Sequence, residues 1–339
     1  MKIIGLLIVK NESWILQTTL PQQLRFVDEL LVLEGNSTDD TVRILRNFGK
    51  NTNKVHVRIQ KGNNDNYAAW RQELLTWARE RGATHIVSID GDEALSSDTL
   101  THWHSTLSRM KPGEKLFFEW ITLWKSPFTY LTSGSIFAHL NKDFVFCDDK
   151  TSPYAKIALH EGRTPGITTK QNSIYIPQER GVVLHFQFVP WERVQMKQAF
   201  QRCRELTLHT DTAKGINYKY EQTLDNPNAK TESVPAKWID KFKLSEKLSK
   251  SPRDWFYKSI LQYFKDNGIA FYEPVQIWQI PELRAEFVKK MGRNPKAQTY
   301  NTITRVTRIV VGKILSIFPA QARTIIFVTI KKINKQIGF

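Results

Sequence analysis

Hydrophobic and polar positions along the first third of the chain fall into blocks that alternate between strand and helix character. The apolar run Ile3–Val9 has the length of one buried strand. Residues 14–24 place apolar side chains at helical spacing, and a second apolar run follows at 30–33. Ser37 with Thr38-Asp39-Asp40 suits a helix N-terminus; that helix runs through Val42, Ile44, Leu45 and Phe48, with Gly49 as its expected stop. A strand at Val55–Ile59 comes next, then a helix over 67–81 ended by Gly82. A fourth strand over 85–89 leads into Asp90-Gly91-Asp92-Glu93.

Strands alternating with helices predict a largely parallel sheet built from right-handed crossovers, with ligands beyond the C-terminal strand ends. Three of those ends are polar: Lys10-Asn11-Glu12, Glu34-Gly35-Asn36-Ser37 and Asp90-Gly91-Asp92. Residues 115–190 read as more mixed, with strands at 117–123, 135–140, 173–176 and 182–188. From Trp191 the pattern is helical. Residues 211–252 are polar and punctuated by proline, which predicts a linker or long loop, and 253–339 read as helical with breaks at Pro274 and Pro319. The expected organisation is therefore a nucleotide-binding half (1–110), an acceptor-side half (111–210), the linker (211–252) and a basic amphipathic extension (253–339).

Composition changes this picture at two points. Cys147 and Cys203 are the only cysteines, which excludes a disulfide framework and a cysteine-rich zinc site. The formal charge is +16, and the eleven basic residues after Glu286, with no acidic residue among them, carry most of it. Arguments from charge therefore concern the tail. The N-terminal run is too short for a signal peptide and lacks a small-residue cleavage site. No run of 18 apolar residues occurs, so no spanning helix is expected.

Asp90-Gly91-Asp92 is the centre of the chemistry. Two carboxylates one residue apart after a buried strand can hold a hard cation such as Mn2+ or Mg2+, with phosphates completing the shell. Gly91 lets the backbone approach a ligand closely. Asp-Gly-Asp is also a good turn; its place beside two other polar strand ends favours the site.

Three stretches together resemble glycosyltransferase family 2, with the GT-A fold: residues 9–12 (Val-Lys-Asn-Glu), 27–41 (through Glu34-Gly-Asn-Ser-Thr-Asp-Asp-Thr) and 86–93 (through Asp90-Gly-Asp-Glu). The fold this implies is α/β, a GT-A-like, Rossmann-type mixed sheet flanked by helices, with a helical C-terminal extension. The function it implies is metal-dependent, inverting transfer of a sugar from a nucleotide diphosphate, with UDP the expected carrier. The acceptor would be a glycan, a lipid-linked sugar or a protein. Val9, Asn11 and Glu12 would line the base and ribose pocket. Glu34 stands where the family usually has an aspartate contacting the base. Arg71 would approach the diphosphate, or else be a solvated helix arginine. Asp90 would contact ribose or metal, and Asp92 would bind metal.

Beyond residue 110 the resemblance rests on the segments 159–161 and 184–186. It points to His185 as a metal ligand, the alternative being a core histidine bonded to a carbonyl. Glu161, in the pair His160-Glu161, is the first choice for the base that deprotonates the acceptor, with Asp148 and Asp149 in reserve. His102 and His104 read as surface residues. A sugar nucleotidyltransferase would need a glycine-rich, arginine-containing loop where this chain has Lys10-Asn11-Glu12. A non-catalytic membrane-associated module with a retained nucleotide-sugar site is the other rival; Asp90 and Asp92 argue against it. In the tail, apolar stripes on either side of Pro319 with flanking lysines and arginines suit an anionic membrane surface through residues 300–339, or a helix packed on the catalytic domain. No nucleic-acid motif accompanies the charge. The expected location is cytoplasmic, with peripheral membrane attachment through the tail.

Overall fold

A computed structural model describes residues 1–60, 67–134, 137–154, 163–224, 229–245, 248 and 254–296. The strands are β1 (Ile3–Val9), β2 (Glu29–Glu34), β3 (Val55–Ile59), β4 (His85–Ser88), β5 (Glu93–Leu95), β6 (Lys115–Trp124), β7 (Thr129–Ser133), β8 (Leu140–Cys147), β9 (Ser173–Tyr175), β10 (Val183–Phe188) and β11 (Lys230–Ser233). The helices are α1 (Ser13–Gln23), α2 (Thr41–Thr52), α3 (Tyr67–Glu80), α4 (Trp103–Leu107), α5 (Trp191–Thr207), α6 (Ala213–Leu224), α7 (Ala236–Ile239), α8 (Asp254–Asn267) and α9 (Pro281–Met291). Residues 1–283 form one compact unit, and a second unit begins at Arg284.

The architecture is α/β, a mixed sheet with helices on its faces. The main order is β11-β7-β6-β8-β4-β1-β2-β3; β10 joins β6 and β5, and β9 joins β6. The half formed by β4, β1, β2 and β3 is parallel. Its middle strand β1 is apolar along its length because both faces are covered. Leu7 and Val9 enter a core with Leu16, Leu20, Ile44 and Leu45 from α1 and α2. Ile4 and Leu6 enter another with Trp70, Leu74 and Leu75 from α3. The other half is antiparallel where β8 lies between β4 and β6. One consequence governs the rest: the C-terminal end of β8 lies beside the N-terminal end of β4.

Four expectations change. Gly49 does not stop α2, which continues to Thr52 and ends at Asn53 in the left-handed region (φ 53°). A Cβ on Gly49 would stand 3.1 Å from the carbonyl oxygen of Val55, so the glycine there permits close packing on β3. The strand expected at 135–140 instead begins at Leu140 and runs to Cys147. Asn141-Lys142-Asp143 masked it by putting polar side chains into a strand whose second half, Phe144–Cys147, is wholly buried. The polar stretch read as a linker holds α6, β11 and α7, with Trp238 and Val234 buried in a core shared with β10 and Ile15. Sparse apolar residues sufficed because each is placed against an existing surface. The division into halves at 110 is crossed by the sheet, which binds β8 to β4. His102 and His104 are exposed, as expected. Among the described residues no helix is long and apolar enough to cross a membrane. The basic tail from residue 297, which carries the membrane expectation, lies outside the described residues.

Candidate active site

The polar ends of β1, β2 and β4 lie side by side because these strands are parallel neighbours. The first two interlock. The Ser37 hydroxyl accepts from the Asn11 amide at 2.8 Å, and the Asn11 side-chain oxygen accepts from the Thr38 amide at 2.7 Å. Asn11 and Asn36 both take positive φ (55° and 59°), which asparagine tolerates better than most residues. Glu34 is fully buried, and its carboxylate accepts from the Asn36 and Ser37 amides of its own turn (3.1 and 2.7 Å). Val9 is buried too, beneath Gly91: a Cβ on that glycine would come within 3.1 Å of the Val9 side chain. Of the residues expected around the nucleotide, Val9, Asn11 and Glu34 are thus buried within the strand ends behind the cleft surface.

Glu12, Arg71, Asp90, Gly91, Asp92 and His185 face one cleft of about 320 Å³. Arg71 donates to Ser88 at 2.9 Å and stands 3.5 Å from Asp90. His185 reaches the site because β10 runs beside β6 and β5; its Nε2 lies 3.6 Å from Asp92. The His185 ring stacks on Trp120 at 4.2 Å between centroids.

Residues to which the motifs gave no role hold this arrangement. Arg163 bridges Asp90 at 2.9 Å and Glu93 at 2.7 Å. Glu93, fully buried, accepts from Trp120 Nε1 at 2.7 Å and from the Asp90 amide at 3.0 Å. Buried Arg193 contacts both oxygens of Glu12 at 3.3 and 3.2 Å, and Trp14 donates to the same carboxylate. Glu93 was legible as the residue after Asp-Gly-Asp. Arg163 and Arg193 carried no local signal beyond being arginines near apolar runs.

The environment splits the carboxylates into two kinds. Burial pushes Glu12 and Glu93 above the usual range, against the pull of Arg193 and Arg163. For Asp90 and Asp92 burial also pushes upward, but cations win. Arg163 and Arg71 hold Asp90 below its ordinary value, and His185, Lys197 and Arg193 hold Asp92 well below. Two ionised aspartates at a cleft floor bordered by guanidinium groups are suited to bind a cation and an anion together.

Asp90, Asp92 and His185 are the groups at this floor that could hold a divalent cation. His185 Nδ1 is buried and has no hydrogen-bond partner among the described residues. Among the described residues no three His, Cys, Asp or Glu side chains form a closed cage, so such an ion would take the rest of its shell from ligand and water.

The carboxylates held in reserve as base stand elsewhere. Asp148 accepts a forked contact from Arg79, with distances from 2.8 to 3.3 Å, and its backbone amide donates to Thr84 at the start of β4. Asp149 accepts from the Thr151 and Ser152 amides and the Ser152 hydroxyl. Both sit at the sheet edge opposite Asp90, because β8 and β4 are antiparallel, and the role of base does not fit that position. Glu161 and His160 lie outside the described residues.

The chain thus folds as a mixed sheet flanked by helices, with Asp90-Gly91-Asp92 at the C-terminal edge of its parallel half. Residues 6–108 match the family model described as glycosyl transferase family 2. No curated protein matches the sequence. Among solved structures it is similar to mannosyltransferase PcManGT from Pyrobaculum calidifontis in complex with GDP-Man and Mn2+ (13% identity, 87% of this chain, 81% of that one, TM-score 0.37). It is also similar to S. aureus TarS 1-349 in complex with UDP (12%, 86% and 81%, TM-score 0.33). Against a longer S. aureus TarS structure the chain covers 22% of that protein's length and 37% of its own, at 18% identity and TM-score 0.29.

Proposed function

We propose that the protein transfers a sugar from a nucleotide diphosphate donor, with UDP the carrier that the family resemblance implies, to an acceptor hydroxyl. The observation that carries this reading is the cleft floor, where Asp92 faces His185 and Asp90 lies between Arg71 and Arg163. Asp92 and His185 would hold Mn2+ or Mg2+. When bound, such an ion neutralises charge that grows on the departing diphosphate. Arg71 adds a forked cationic contact to the same charge, and Arg163 keeps Asp90 ionised and fixed. Glu12 with Arg193 and the buried strand ends of Val9, Asn11 and Glu34 define the depth of the nucleoside pocket. Trp120, pinned by Glu93 and stacked on His185, fixes the imidazole plane.

Inversion in one displacement is the stereochemical expectation, with Glu161 as the base. Loss of a positioned base costs about 10²–10⁴-fold in rate, so Glu161→Gln should bind donor normally and transfer slowly. The reading is tested by thermal stabilisation with UDP and GDP, with and without Mn2+, followed by a donor screen scored by nucleotide release. Stabilisation by a nucleotide that requires Mn2+ is expected. Stabilisation by neither nucleotide, and release from no donor, would overturn the reading.

A further inference from the structure

The far wall of the cleft is built by a helix whose pattern the donor site does not use. On α5, Lys197, Phe200, Gln201 and Arg204 all line the cleft. Their spacing of three, four and seven puts them on one face. A helix packed on a core normally turns an apolar stripe inward, yet this half-buried stripe is basic, aromatic, amide and basic. The N-terminal end of α8 adds Trp255, whose ring lies 5.4 Å from that of Phe200.

Lys197 marks where the stripe starts. It donates to Gln187 at 2.6 Å, and its charge helps to hold Asp92 ionised. With a rise of about 1.5 Å per residue, Arg204 stands about 10 Å further along the axis. That is the span of a sugar ring with one substituent, beginning beside the proposed reaction centre.

Resting on the glycosyl-transfer reading, we propose that this stripe is the acceptor subsite and that the acceptor is a pyranose carrying an anionic group. The apolar C–H face of the ring lies on Phe200 and Trp255, both of which present flat apolar area to it. Gln201 offers a donor and an acceptor to ring hydroxyls. Arg204 presents its fork to a phosphate or a carboxylate. All these residues come from beyond the region that matches the family model, as do Arg163, His185 and Arg193 at the cleft floor.

The test is ligand-observed NMR titration of the full chain, in UDP and Mn2+, with methyl glucoside, glucose 6-phosphate, glucuronic acid and inorganic phosphate. At least one anionic sugar should bind about ten-fold tighter than methyl glucoside, the worth of one charged hydrogen-bonding contact. Inorganic phosphate alone should bind no better than methyl glucoside. The tighter of the two anionic sugars identifies the anion. Arg204→Gln should bring the preference to about two-fold or less, with Arg204→Lys between. Trp255→Ala should weaken all three sugars about ten-fold while sparing phosphate. Equal affinity for neutral and anionic sugars would overturn the proposal. So would phosphate binding as tightly as glucose 6-phosphate with Trp255→Ala inert. An equal loss of UDP affinity in Arg204→Gln would overturn it too, by assigning that arginine to the donor diphosphate. Absence of any Mn2+-dependent nucleotide stabilisation in the unsubstituted protein would instead remove the glycosyl-transfer reading, and the sugar panel remains readable without it.

Discussion

Two acidic pairs, Asp90 with Asp92 and Asp148 with Asp149, have much in common. Each follows a strand in one sheet, each has an arginine at hydrogen-bonding distance, and each attracts a reading as catalytic carboxylates. They differ in what surrounds them. Asp90 and Asp92 end β4, which runs parallel to β1, and open onto a cleft shared with His185 and Arg71. Asp148 and Asp149 end β8, antiparallel to β4, and are closed by Arg79 and by the turn through Ser152. Strand direction, not acidity, separates the pair that opens onto the cleft from the pair at the opposite edge of the sheet.

The sharpest way to break this contrast is at Asp92. Asp92→Ala should remove most transfer activity while leaving the fold intact, as read by turnover and by far-ultraviolet circular dichroism. Near-normal turnover in that variant, with chelator in excess, would end the metal role assigned to it.

Glu93 tests whether the floor depends on its hidden support. It is fully buried and bonded to Arg163, Trp120 and the Asp90 amide. Removing one member of a buried charge pair typically costs about 3–5 kcal/mol because the partner is left uncompensated. Glu93→Ala should lose stability of that order in denaturant unfolding, together with nucleotide affinity.

The second pair should behave oppositely. Asp148→Asn should lower stability by about 1.5–3 kcal/mol, the range for hydrogen bonds to charged groups, and leave turnover of the remaining folded protein unchanged. Its neighbour Asp149, although burial pushes its carboxyl upward, is held down at about 2 by the Ser152 and Thr151 contacts. That contribution is complete above the ordinary aspartate range near pH 4 and is lost as pH falls towards 2. Asp149→Asn should therefore flatten the acid limb of the stability profile. A large loss of turnover in either variant would restore these residues to the active site.

The smallest effect concerns Lys142, on β8 but at its other end, near the floor. Its ammonium lies 3.2 Å from the Trp120 ring centre. Burial, followed by Arg163, pushes it down to about 8 despite Glu93, Asp90 and Asp92. Between about pH 8 and 10 the unfolded chain holds more protons than the folded one, so stability from this residue rises with pH. Unfolding of the native sequence and of Lys142→Met across that range should show the gain only in the former.

Much of the parallel half was readable from sequence. Apolar runs of strand length, helical spacing in 67–81 and the polar strand ends are local signals, and a strand buried on both faces can hardly be anything else. The same reading located Glu12, Asp90, Gly91 and Asp92, each within a few residues of a recognisable strand end, and the family resemblance added Arg71 on α3. It did not separate side chains that line the cleft from those buried behind it. Asn11 and Glu34 look like ligand residues until their bonds to neighbouring amides are traced. Local spacing also failed at β8, whose polar first half hides a central strand, and at 211–245, where a few apolar residues dock against surfaces formed by distant parts of the chain.

The sequence by itself determined that the chain makes an α/β sheet with an acidic pair at the edge of its parallel half. It could do so because strand period, helix period and turn chemistry are set by residues a few positions apart. Only the tertiary structure decided that Arg163 bridges Asp90 and Glu93, separated from it by 73 and 70 positions, and that Arg193 meets Glu12 across 181. It also decided that Asp148 and Asp149 face away, since the direction in which β8 pairs with β4 is fixed by burial and hydrogen bonding between strands far apart in the chain.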